Sequence, residues 1–245
     1  MTPDSFVERF GREKGSAILR CNNTEKAALA MEAAIRGGFS IIEFTLTIPG
    51  VYDLVKDFSQ REGLVVGTGT VMDEIEAQKS VEAGARFLVS PVVDEAVISA
   101  AGKLGVACMP GTHTPTEMLR AHRAGAQLCK LFPAPAGGPA WVRSVLGPMP
   151  YLKIVPTNGV DEHNAREWID AGVFAAGFVA PLFVAADRVP TRRRNPGYAA
   201  FNRDDLPAPE GPQNNVVVSA SRRLTRPRPH PVLADTRSTG YPRSS

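Results

Sequence analysis

The chain is expected to be an α/β protein, a (β/α)8 TIM barrel, and three observations carry that expectation. Short apolar runs start near Ser16, Ser40, Leu64, Arg86, Gly105, Gln127, Leu152 and Val173, at intervals of about 19 to 25 residues. A stretch with apolar residues at helical spacing follows each run, so strands and helices alternate and the strands must be parallel. Eight such units in a chain of 245 residues close most simply into a barrel, whose chemistry sits where the strands end.

Taken in order, each element has a local reason. Pro3 after Thr2 opens a short N-terminal helix, placed to plug the lower end of the barrel. Asn23 caps a helix over 25–36, and Ile41-Ile42-Glu43-Phe44 then makes a strand that carries one carboxylate. Leu64-Val65-Val66-Gly67 runs into Gly67-Thr68-Gly69-Thr70, after which Asp73 caps a helix over 73–83. The fourth and fifth strands end at Val89-Ser90-Pro91 and Met109-Pro110-Gly111. Thr114 with Glu117 three residues on forms a capping box for the next helix. The sixth strand delivers Cys129-Lys130-Leu131-Phe132, the seventh Lys153-Ile154-Val155-Pro156 and the eighth Gly177-Phe178. No amphipathic pattern follows Val184, so the barrel is expected to lack a regular final helix.

Composition divides the chain into a barrel over 1–186 and a tail over 187–245. The tail holds 11 Arg, 9 Pro, no Lys and 5 acidic residues, a balance of +6 against −3 for 1–186, so the overall +3 belongs to the tail. With this composition and no periodicity the tail reads as disordered. An Arg-rich arm for an anionic partner and a shifted reading frame are the alternatives, but scattered Arg and few aromatics speak against nucleic acid. Cys21, Cys108 and Cys129 form no C-x-x-C pair and read as small buried hydrophobes of a reducing compartment. His113, His122, His163 and His230 lack ligand spacing, so no metal is expected. Met1 to Lys14 does not read as a signal peptide, and no apolar run is long enough to span a membrane. A cytoplasmic location is expected, with organellar targeting on an upstream extension left open.

Lys130 is the most informative residue. A lysine at the end of a core strand, with its pKa lowered by burial or a neighbouring charge, can add to a ketone and form a Schiff base. The alternative is an amphipathic Lys that sends its ammonium to water.

Six strand-end motifs share one resemblance. Ile42-Glu43-Phe44-Thr45, Val66-Gly67-Thr68-Gly69-Thr70-Val71, Val89-Ser90-Pro91, Met109-Pro110-Gly111, Lys130-Leu131-Phe132-Pro133-Ala134 and Val155-Pro156-Thr157-Asn158-Gly159-Val160 resemble, in order and spacing, the 2-keto-3-deoxy-6-phosphogluconate and 4-hydroxy-2-oxoglutarate aldolases. The resemblance covers about residues 15 to 185. It implies a cofactor-free, metal-independent class I aldolase, usually a homotrimer, that cleaves a 2-keto-4-hydroxy acid to pyruvate and an aldehyde.

By the same resemblance Lys130 forms the imine and Glu43 transfers protons. Arg20 with Thr70 holds the pyruvate carboxylate, because the position four residues after Glu43, an Arg in many relatives, is Thr47 here. Pro91 and Phe132 wall the imine, and Thr157 contacts substrate hydroxyls. The phosphate end departs from the family pattern. Thr157-Asn158-Gly159 replaces Thr-Gly-Gly, and Ala180-Pro181 offers neither the hydroxyl nor the amide of the usual Gly-Ser pair. Substrates without a phosphate are therefore expected to be accepted. A barrel subunit without catalysis, and a phosphate-binding barrel enzyme without an imine step, are the rival readings.

Overall fold

The computed structural model describes residues 1–179 and Leu182. In chain order the elements are α1 (Pro3–Glu13), β1 (Gly15–Leu19), α2 (Thr24–Arg36), β2 (Ile41–Thr45), α3 (Val51–Ser59), β3 (Val65–Gly69), α4 (Glu74–Glu82), β4 (Phe87–Val89), α5 (Glu95–Lys103), β5 (Ala107–Met109), β6 (Gly111–Thr112), α6 (Pro115–Arg123), β7 (Cys129–Leu131), α7 (Gly138–Leu146), β8 (Ile154–Pro156), α8 (Ala165–Asp170) and β9 (Ala176–Phe178). The expected strand positions are all occupied. The expected tail, the final helix and the pair Ala180-Pro181 lie outside the described residues. Among the described residues no helix is long and apolar enough to cross a membrane.

Every strand pair is parallel, which the intervening helices require. One sheet has the order β5-β4-β3-β2-β1-β9 and a second β6-β7-β8. The fifth strand is the join, split at Pro110, which has no N–H to place in a ladder. Below the proline the chain pairs with β4; above it, with β7. At the other seam the Phe174 N–H donates to the Ile154 carbonyl at 2.8 Å, tying the approach to β9 onto β8. The result is a curled parallel sheet in an α/β TIM-like fold.

The period of two along each strand sorts the core into two clusters. Ile42, Phe44, Val66, Leu88, Cys108 and Ile154 face the helices. Ile41, Val65, Phe87, Ala107 and Val155 face inward and pack with Phe6, Val7 and Phe10 of α1. The N-terminal helix does plug the lower end. Thr2 caps it by accepting from the Ser5 N–H, and Phe6 stacks on Phe87 with ring centroids 4.6 Å apart. Gly67 makes room for that ring, since a Cβ there would lie 2.4 Å from it. The expected helix caps at Asn23 and Asp73 and the Thr114–Glu117 capping box are all formed.

The cysteine reading needs one correction. Cys108 and Cys129 are buried, and burial pushes their thiols up to about 12, but Cys21 is only half-buried. It sits in the turn before α2, where its Sγ–H donates to the Asn23 carbonyl at 3.2 Å.

Candidate active site

The inward-facing residues change character going up the strands. Above the apolar floor come Glu43 on β2 and Lys130 on β7, both in parity with inward residues below them, Ile41 and Leu128. Glu43 is fully buried and Lys130 is 6% exposed. Lys130 is thus not a lysine with its head in water.

The two groups shift each other. Burial lowers the Lys130 pKa and Arg20 adds to that, while the Glu43 carboxylate opposes both. Burial raises the Glu43 pKa, and the positive charges of Lys130 and Arg20 pull it back. In both cases desolvation is the largest cause, as expected for charges held away from water. Neither Glu43 oxygen has a hydrogen-bond partner among the described residues, and the Thr157 hydroxyl is likewise buried and unpaired. Such groups cost about 1–3 kcal/mol each.

The Lys130 backbone is held firmly. Its N–H donates to the Pro110 carbonyl at 3.0 Å, and its carbonyl accepts from Thr112 Oγ1 at 2.9 Å. Phe132, two residues on, faces the amine with its ring centroid 5.0 Å from Nζ. The next segment is tethered sideways by a 2.9 Å contact between His113 Nδ1 and the Pro133 carbonyl. Sequence places Thr112 among the strand-end residues at the mouth, but a threonine there carries no local sign of which neighbouring strand it will anchor.

Arg20 follows β1, is exposed at the rim, and donates from Nη2 to Thr70 Oγ1 at 3.1 Å. Thr70 has φ 62°, a left-handed conformation that a β-branched residue rarely adopts. The pairing of Arg20 with Thr70 is thus present as geometry. Thr47 instead pairs with Thr45, Oγ1 to Oγ1 at 2.8 Å. Pro91 is half-buried, and its carbonyl leaves no room for a side chain at Gly111, where a Cβ would lie 2.1 Å away.

Asn158 and Gly159 are exposed beyond β8. The Asn164 side chain donates to the Gly159 carbonyl at 2.8 Å and helps shape the turn into α8. Among the described residues no three His, Cys, Asp or Glu side chains stand together as a metal site.

A TIM-like parallel sheet that brings a buried amine and a buried carboxylate to the upper ends of its strands has the form of an enzyme site, and comparison with known proteins makes that enzyme a lyase. Residues 8–189 match the family model described as KDPG and KHG aldolase, the aldolases of 2-keto-3-deoxy-6-phosphogluconate and 4-hydroxy-2-oxoglutarate. The chain belongs to that aldolase family.

Among its relatives, a probable 2-dehydro-3-deoxy-6-phosphogalactonate aldolase from Rhizobium meliloti is 34% identical over 170 residues, 68% of this chain and 80% of the relative. The 2-dehydro-3-deoxy-6-phosphogalactonate aldolase of Escherichia coli is 31% identical over 181 residues, 71% of this chain and 86% of the relative. A crystal structure of KDPG aldolase from Legionella pneumophila, with pyruvate captured at low pH as a covalent carbinolamine intermediate, superposes with a TM-score of 0.66 at 26% identity, covering 74% of this chain and 90% of that one. These relatives are aldolases that act on small molecules.

Proposed function

We propose that this chain is a class I aldolase that cleaves a 2-keto-4-hydroxy acid, of the 2-keto-3-deoxy-6-phosphogluconate or 4-hydroxy-2-oxoglutarate type, to pyruvate and an aldehyde through a Schiff base on Lys130. The observation that carries the reading is the buried Lys130 amine, its charged form disfavoured by burial, coupled to the buried and unpaired carboxylate of Glu43. The captured carbinolamine of the Legionella relative supports it, because a carbinolamine requires an amine.

Neutral Lys130 Nζ adds to the C2 ketone; the carbinolamine hydroxyl takes a proton from solvent and leaves as water, giving a protonated imine. Glu43 takes the C4 hydroxyl proton, the C3–C4 bond breaks, and its electron pair moves to C3 as the imine becomes an enamine. The aldehyde departs. Protonation at C3 by the Glu43 carboxylic acid and addition of water to the imine release pyruvate and restore the amine. Arg20, with Thr70, offers paired donors to the pyruvate carboxylate. Pro91 and Phe132 exclude water from the imine, Thr157 meets substrate hydroxyls, and Asn158 and Gly159 meet the distal end. We read the curled sheet as a closed eight-stranded barrel over 1–186, assembled as a cytoplasmic homotrimer on the family resemblance; sedimentation tests the trimer.

Incubation with pyruvate and borohydride tests the chemistry. A reduced pyruvyl adduct is expected on Lys130. Label on Lys103 or Lys153 instead, or no label on folded protein, would overturn the assignment.

A further inference from the structure

Gly69 closes β3 against the carboxylate of Glu43. A Cβ built on Gly69 would stand 1.9 Å from Glu43 Oε1, 2.8 Å from Cδ and 3.2 Å from Cγ, so the Oε1 side of the acid occupies the space a side chain at Gly69 would need. The requirement is one of space. Gly69 is not among the glycines with positive φ, and its backbone conformation is open to other residues.

The backbone there cannot retreat easily. Gly69 is in register with Thr45, and its carbonyl accepts from the Leu46 N–H at 2.8 Å. On the other side Thr70 holds a left-handed conformation and accepts from Arg20. A methyl group at Gly69 would therefore displace the Glu43 side chain rather than the strand. Neither carboxylate oxygen has a hydrogen-bond partner among the described residues, so packing against Gly69 limits where this acid can lie.

We propose that Gly69 is a positioning residue for the aldol step, the seat that holds the Glu43 carboxylate where it can exchange protons with a substrate bound on Lys130. The proposal rests on the reading of Glu43 as the proton carrier. The seat selects for the carboxylate's place and leaves imine formation alone.

The test is Gly69→Ala, assayed for cleavage and for pyruvate trapping, in the parent and in a Glu43→Gln background. In the parent background kcat should fall by about 10² or more, the scale of a lost positioned acid/base, with KM little changed and the pyruvate adduct on Lys130 retained. In the Glu43→Gln background the same change should cost less than about threefold, because residues acting through one group are not additive. Turnover within threefold of the parent, or an equal loss in both backgrounds, would overturn the proposal. If Gly69→Ala does not fold, Gly69→Ala/Glu43→Ala decides: with Cγ, Cδ and Oε1 gone the methyl loses the three contacts that crowd it, so recovery of folded protein supports the seat and continued failure refutes it. Absence of a Lys130 adduct in the parent, or parental turnover in Glu43→Gln alone, would instead be a failure of the functional reading.

Discussion

Lys130 and Glu43 sit where burial works against the charge of each, and their mutual attraction works for it. Only the neutral amine attacks a ketone, so trapping of pyruvate should rise with pH and level off above a Lys130 pKa that lies below the ordinary 10.5. Glu43 is the group that raises that pKa. Glu43→Gln should therefore move the trapping profile to lower pH while slowing cleavage by about 10²- to 10⁴-fold. A shift to higher pH, or parental cleavage, would contradict the coupling. The apparent values read from such profiles belong to the pair. Stability follows from the same shifts. Between the lowered Lys130 pKa and 10.5 the unfolded chain binds more protons, so stability rises with pH there. From 4.5 up to the raised Glu43 pKa the folded chain binds more, so stability falls as pH rises through that window. Sequence offered Lys130 by its chemistry and its place at a strand end, and Glu43 through the family resemblance.

At the scale of elements, α1 and the loops above the strands divide structure from function. Phe6 is fully buried against Phe87 at the floor, so Phe6→Ala should cost about 3–5 kcal/mol of stability, read from denaturant unfolding. Its distance from the rim predicts unchanged kcat well below the melting temperature. Unchanged stability would mean that α1 merely lies against the floor. The capping box at α6 was legible in Thr114 and Glu117 because it is a local pattern of four residues. By the family resemblance, the residues that follow β8 and β9 in the sequence would meet a substrate phosphate. If Ala180 and Pro181 remove two hydrogen bonds to a dianion, each worth about 1.5–3 kcal/mol, kcat/KM for the phosphorylated 2-keto-3-deoxy acid should show less than a hundredfold advantage over the unphosphorylated one. A larger advantage would restore phosphate binding, with the Asn158 and Gly159 amides as its donors.

For the whole molecule, the family match ends at residue 189, close to where the composition turns to Arg and Pro. A chain ending near Ala186 should keep the activity, solubility and oligomeric state of the full chain, measured side by side. Loss of any of them would assign residues beyond 186 a part in the barrel's cover.

The alternation of strand and helix, the caps and the N-terminal plug were all written in the sequence, since each depends on spacings of a few residues, whereas Lys130 and Glu43 were offered as candidates by residue type and by the family resemblance. Tertiary structure alone decided the anchoring of Lys130 by Thr112 and the place of Gly69 against Glu43. Those contacts join residues 18 and 26 positions apart on different strands. They exist only once register and curl bring inward-facing side chains to one level, and the stagger between strands is set by packing around the whole sheet rather than by any local run of residues.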